Sequence, residues 1–397
     1  MRGMSKKILV ITPRFPLPNI GADEKDRLGG IKQLKKLGFD VRVIAKVFRF
    51  QDKGIIEKFS ADFGIPIKLL EYQNTFSAKK FLNPLYWDGA AFEYADKSTK
   101  NAVDEAIKSF KPDLAWVDYT YLWPVHYILR KNKIPIITRS INFEPSHFLQ
   151  EDGYSPFNLV KFLPKLAGEM MTIYKSSLIF SITPKEEKIY RHLGARNVVN
   201  LPLRGLPACF KKRSVLRDKE ILKVIFMGST YNVHHNRVAL ESVLKDIAPA
   251  VHKKYPGKFS FYISGRKIPS ELERFFNDKT SRIGNKNQEE FDDFLSDIDA
   301  AVVPSLCGAG MQQKIFEPLC RGIPLVVSPR GIAGYPFMNN EHLLFANTPE
   351  EFVDRLGDLL DFSLRKKLAE NAYNEARRIF SQENLDNLIL TALKDLA

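Results

Sequence analysis

The residues best suited to chemistry lie in one run, Val303-Pro304-Ser305-Leu306-Cys307-Gly308-Ala309-Gly310-Met311-Gln312-Gln313-Lys314-Ile315-Phe316-Glu317. An apolar strand leads into a glycine loop and then into a helix. Gly308 and Gly310 let backbone amides approach an anion closely, and the first helical turn leaves N–H groups unpaired with a partial positive charge, so the pattern describes a phosphate site. Lys314 and Glu317, three apart, share a helix face. The ammonium would meet phosphate oxygens as a point charge, and the carboxylate can accept both hydroxyls of a ribose. The plainer alternative for the same residues is an exposed helical ion pair. Pro318 implies either a kink or a helix that starts near Lys314.

Alternating strands and helices must position this loop. Lys7–Thr12 is a continuous apolar run, as expected of a parallel strand buried on both faces, and Asp23–Leu37 has helical spacing that stops at Gly38. With a strand at Val41–Ala45 these form a βαβ unit, and Leu114–Val117, Ile134–Thr138 and Leu178–Ile182 continue the series. Asp118, directly after a strand end, is a further polar group for a cleft. Phe76–Phe92 is aromatic and basic, and fits an elaborated loop or amphipathic segment. A second series has strands at Leu222–Met227, Phe259–Ile263, Ala300–Val303 and Leu325–Val327, then helices at Pro349–Leu360, Leu364–Ile379 and Gln382–Leu396. The chain's 397 residues exceed one ordinary core. The expected class is α/β, with two Rossmann-like doubly wound parallel-sheet domains facing a cleft. Residues 1–205 form the first, 206–221 a linker, 222–380 the second, and 381–397 a helix crossing back to the first.

Charge is uneven: 38 Lys and Arg stand against 22 Asp and Glu up to Lys219, and 22 against 24 after it, so the first half carries the whole excess behind the net +14. Such asymmetry suits a phosphate-rich substrate, an anionic membrane surface or nucleic acid, though no RNA-binding motif accompanies it. A solvated lysine-rich surface is the bland alternative. Cys209, Cys307 and Cys320 have neither zinc nor disulfide spacing and read as reduced thiols of a cytoplasmic protein. No signal peptide or membrane-spanning run is visible. His234-His235 lacks companions for a metal site, and no metal is expected.

Several short motifs stand in a familiar order. Phe226-Met227-Gly228-Ser229 with Asn236, Ser264-Gly265-Arg266, Arg282-Ile283-Gly284, the 303–317 run and Gly331 to Gly334 together resemble the group 1 family of glycosyltransferases. The resemblance implies the GT-B fold and a nucleoside diphosphate sugar as donor, with retention at the anomeric carbon and no cofactor. It places Gly228, Ser229, Gly265, Arg266 and Lys314 at the diphosphate, Ile283 and Gly284 near the base, and Glu317 at the ribose. Where the family commonly has the first of two glutamates eight residues apart, this chain has Ala309. Gly308 belongs to the same loop, and the sugar hydroxyls fall to the backbone amides of Gly310 and Met311, or to Gln312.

In the first half Pro16–Ala22 resembles the family's proline and glycine loop, with Gly21 near donor and acceptor. Arg139-Ser140-Ile141-Asn142-Phe143-Glu144 resembles a segment that often reads His-Asn-x-Glu, and Ile141 holds the histidine's place. Arg139, Asn142, Glu144 and His147 are the candidates for the missing helper. The resemblance further implies a hexosyltransferase-type enzyme whose acceptor is a saccharide or lipid-linked saccharide, in surface polysaccharide or glycolipid synthesis. Its basic first domain would rest on the anionic inner face of the plasma membrane through Phe76–Leu82 and Phe157–Tyr174, leaving it cytoplasmic and peripheral, with no nucleic-acid partner. The rivals are a nucleotide-sugar epimerase and a non-catalytic basic binding module with an inert cleft.

Overall fold

The computed structural model describes residues 6–19, 21–73, 82–211, 213–284, 286–308, 310–394 and 396. The chain divides into two units: one holds the residues through Arg204 and those from Leu385 onward, the other Gly205–Asn384.

The first unit is built on β1 (Lys7–Arg14), β2 (Asp40–Val47), β3 (Ile67–Glu71), β4 (Leu114–Asp118), β5 (Ile136–Arg139), β6 (Leu178–Ser181) and β7 (Val198–Asn200), in the order β3-β2-β1-β4-β5-β6-β7. All neighbours are parallel. Ile8 and Val10 pack into one core with the helix Ala22–Lys36, while Leu9 and Ile11 pack into another with the helix Lys97–Phe110. A strand covered on both faces cannot alternate apolar with polar, which is why β1 reads as an unbroken apolar run. β5 starts at Ile136, two residues later than the sequence suggests, because Pro135 has no N–H for the ladder. Leu385, Ile389 and Leu393 of the helix Gln382–Lys394 are buried in the same core as Ile8, and Gln33 Nε2 donates to Asp386 Oδ1 at 2.7 Å.

A buried ionic knot closes this unit. Asp26 is fully enclosed and accepts from Arg139 Nη2 at 3.0 Å and from the backbone N–H and Nη2 of Arg204, both at 2.8 Å. Burial alone would raise the carboxyl's pKa, but the Arg139 and Arg204 guanidiniums outweigh it and hold Asp26 well below the ordinary range. Arg204 reaches Asp26 by crossing the first helix at Gly30, where a Cβ would lie 1.8 Å from its Nη1.

The second unit contains β8 (Leu222–Thr230), β9 (Phe259–Arg266), β10 (Thr280–Arg282), β11 (Ala300–Val303), β12 (Leu325–Val327) and β13 (Leu344–Phe345), ordered β10-β9-β8-β11-β12-β13 and again parallel. Within the stretch 206–221, expected to be a linker, three described residues pack on this unit. Phe210 meets Tyr373 edge to face, Arg213 stacks over Tyr373, and Ser214 Oγ donates to Ile298 O at 2.8 Å.

Candidate functional site

In a doubly wound sheet, ligands bind beyond the carboxyl ends of the strands where the order reverses. In the second unit that point lies between β8 and β11, so the loops following Thr230 and Val303 must flank it. The two loops are tied together. Asn236, near the start of the helix His234–Glu241, donates its Nδ2 to Thr230 O at 3.0 Å and accepts Lys314 Nζ at 2.8 Å. Lys314 is buried on the helix Gln313–Cys320 with its ammonium 5.8 Å from the Phe226 ring centroid, so a positive charge is held in place at the switch point. This helix starts one residue before Lys314 and contains Pro318.

The glycine turns around Lys314 have separate causes. Gly308 has φ +95, and a Cβ there would crowd Gln312 Nε2 at 2.8 Å and His235 at 3.1 Å. Gly310 also has positive φ, and Ala309 between them lies outside the described residues. Gln312 turns its amide onto its own loop, donating to Cys307 O at 3.3 Å, and the Met311 sulfur accepts from Tyr335 O–H at 3.4 Å. Tyr231 was not foreseen. Its ring fills the space over Gly228 and Gly265, where added Cβ atoms would lie 2.7 and 2.5 Å from it, and its hydroxyl donates to Ser264 O at 2.5 Å. The only hint in the sequence was a glycine near the end of each strand.

Ser229 and Arg266 are exposed at the paired ends of β8 and β9, and Arg266 makes no ion pair among the described residues. Ile283 and Gly284 follow the edge strand β10, where Ile283 N–H donates to Ile263 O at 2.8 Å. Glu317 is engaged along its own helix and at that helix's end, accepting Gln313 Nε2 and Arg321 Nη2, both at 2.9 Å, and Arg321 also pairs with Asp292 at 2.7 Å. A ribose bound at Glu317 would therefore share an already neutralised carboxylate.

In the first unit the reversal falls between β1 and β4. There Tyr119, with a non-glycine φ of 74, donates its hydroxyl to Asp23 Oδ2 at 3.2 Å, and Arg27 pairs with Asp23 at 3.0 Å. Gly21 starts the helix, and its N–H is taken by Glu24 Oε2 at 2.8 Å. Asp118 is buried under Trp116 Nε1 at 2.9 Å rather than open to a cleft. Arg139 faces inward: besides Asp26 it donates to the carbonyls of Leu201 at 2.5 Å and Pro202 at 3.1 Å. An arginine so occupied braces the 139–144 segment and does not reach substrate. Asn142 and Glu144 stand at the start of the helix Glu144–Asp152, and His147 is half-buried on it.

Behind Glu144 are two carboxylates that the sequence did not reveal. Glu169 accepts Thr120 Oγ1 at 2.7 Å, Tyr190 O–H at 2.9 Å and Glu144 N–H at 3.1 Å, while Glu186 accepts Phe143 N–H at 2.9 Å. Burial pushes Glu144 up to about 7, Glu169 to about 8 and Glu186 to about 7. Between the ordinary value of 4.5 and these values the folded unit holds protons that the unfolded chain has released, so its stability falls as pH rises. The slope reaches about 1.4 kcal/mol per pH unit for each such group. The three tryptophans, Trp87, Trp116 and Trp123, all lie in this unit. Urea unfolding followed by their fluorescence should give a higher midpoint at pH 5 than at pH 8, and Glu169→Gln should remove one group's share of the slope. Equal midpoints would show that these carboxyls are ionised in the fold.

Among the described residues no group of three or more His, Cys, Asp or Glu could hold a metal. Asp297 and Asp299 are neutralised by Lys219 at 2.8 and 3.1 Å, and Asp297 also by Lys223 at 2.5 Å.

Residues 222–361 match a family model described as glycosyl transferases group 1. No curated protein matches the chain in sequence. Among solved structures, sucrose-phosphate synthase from Thermosynechococcus elongatus is similar at 14% identity over 98% of this chain and 99% of that one, with a TM-score of 0.71. Anabaena Alr3699/HepE in complex with UDP and glucose matches at 15% identity over 98% and 100%, TM-score 0.65. A glycosyltransferase from Rickettsia africae matches at 14% identity over 99% of both chains, TM-score 0.68. The fold is GT-B.

Proposed function

We propose, from the match of residues 222–361 to the group 1 glycosyltransferase family model, that the protein moves a sugar, of hexose type, from a nucleoside diphosphate to a saccharide or lipid-linked saccharide acceptor, with retention. The observation that carries this reading is the buried Lys314 ammonium, fixed by Asn236 between the glycine turns of the switch point. As the glycosidic bond breaks, negative charge grows on the departing diphosphate. A cation and backbone amides already in place stabilise that charge more than the intact donor. Arg266 adds an exposed positive charge from the neighbouring strand end, and the positive φ of Gly308 and Gly310 sets the backbone amides of the loop ahead of Lys314. UDP, bound by one structural neighbour, is the first base to try.

Acceptor, surface polysaccharide or glycolipid synthesis, and residence on the cytoplasmic face of a membrane complete the reading. The first half's excess of basic residues supports an anionic surface as partner. Among the described residues no helix is long and apolar enough to cross a membrane. Of the stretches assigned to the membrane, most of Phe76–Leu82 lies outside the described residues, whereas Phe157–Tyr174 is a helix.

The test is thermal unfolding with a panel of nucleoside diphosphates and their sugars, followed by turnover with and without EDTA. A ligand at 100 times its dissociation constant adds about 2.7 kcal/mol. A shift with one base, diphosphate release and indifference to EDTA are expected. No shift with any nucleotide would leave the inert binding module as the better reading, and an altered free nucleotide sugar without diphosphate release would make the protein an epimerase.

A further inference from the structure

The helix Pro156–Lys175 begins with its apolar residues outside: Phe157 is 67% exposed, Leu159 49% and Leu163 64%, and Tyr154 just before it is 70% exposed. Leu159, Leu163, Leu166 and Met170 follow helical spacing, so the exposed stripe runs on into a groove of about 500 Å³. Leu166, Ile189 and Leu193 line that groove, and beneath them lies the apolar cluster of Phe143, Ile173 and Tyr190. Its rim is cationic. Lys185, Lys188 and His192 recur at helical spacing on the helix Pro184–His192 and line the same groove. Lys161 lies over the Phe157 ring at 4.4 Å, its ammonium beside the exposed apolar residues.

A contiguous apolar patch with a polar rim marks an interaction site. The rim here carries one sign of charge, which suits anionic headgroups and argues against a second copy of the same basic face. We infer that this stripe and groove form the lipid-docking face of the first unit: acyl chains lie along Leu159, Leu163 and Leu166 while Lys185 and Lys188 meet headgroup phosphates. The inference rests on the membrane partner proposed above and specifies where it binds. Because the groove floor includes Phe143, whose N–H is held by Glu186, docking would place lipid next to the segment that carries Asn142 and Glu144.

The full chain would be sedimented with phosphatidylcholine vesicles, with and without phosphatidylglycerol at about one lipid in three. Binding only to the anionic vesicles is expected. Lys185→Ala/Lys188→Ala should weaken it about 30-fold, the factor for two basic residues at about 1 kcal/mol each. Leu163→Glu, on an exposed site, should weaken it by more than about tenfold. Vesicle binding unaffected by either variant would overturn the inference, as would equal affinity for neutral vesicles or a lipid-free dimer that Leu163→Glu dissolves. Nucleotide-dependent thermal shifts on the same samples separate this from the donor reading. Retained shifts without vesicle binding remove only the docking face, and vesicle binding without any shift removes only the transferase.

Discussion

Lys314→Ala is expected to lower kcat for sugar transfer by about 10²–10³, the range for removing one preorganised group that stabilises developing negative charge. Its unfolding temperature without nucleotide should stay close to wild type. Lys314 is buried at the switch point, where its ammonium is worth more than a surface cation would be because water cannot screen it. The charge it faces is largest when the donor bond is breaking, so kcat should suffer more than KM. Lys314→Arg should not restore the rate. The ammonium sits against Asn236 Oδ1 at 2.8 Å and over Phe226, and a planar guanidinium does not reproduce that placement. Steady-state kinetics together with nucleotide-induced stabilisation check this. A variant that turns over at the wild-type rate would take Lys314 out of the site altogether.

Lys314 could be found in the sequence because its loop and helix are local, with glycines, a strand end and a helical start within fifteen residues. The strands were legible where they are buried on both faces, as at Ile8–Ile11 and Val224–Met227. The edge strands β3, β7, β10 and β13 escaped because they are short or half-exposed and carry no long apolar run. Features made by distant segments were also invisible. Tyr231 covers two glycines on different strands, and Glu169 meets Thr120, Glu144 and Tyr190, none of which lies within twenty residues of it. Arg139 shows the opposite error: a polar residue at a strand end looked like a catalytic helper, and its partner Asp26 is 113 positions away.

That partnership gives the largest stability effect expected. Asp26→Ala should cost the first unit about 3–5 kcal/mol, because it leaves the Arg139 and Arg204 guanidiniums buried without their counter-charge. Asp26→Asn should be nearly as severe, since shape is kept and charge is lost. Gly30→Ala tests the same knot from the other side. Helix propensity alone would favour alanine by about 1 kcal/mol, yet the new Cβ would lie 1.8 Å from Arg204 Nη1 and push the guanidinium off Asp26. A net loss of stability there would show that the ionic contact outweighs propensity, and a net gain would mean that Arg204 has another place to go. The pH dependence separates Asp26 from the glutamates. Its pKa is depressed in the fold, so its contribution is present above the ordinary value of 3.8 and is lost as pH falls through the folded value. Glu144, Glu169 and Glu186 act with the opposite sign above 4.5. Tryptophan-monitored stability of the first unit should therefore peak near the bottom of the glutamate range, and Asp26→Asn should lower the peak and flatten only its acid side. If the acid side were unchanged in that variant, the carboxyl of Asp26 would not be ionised between its two arginines.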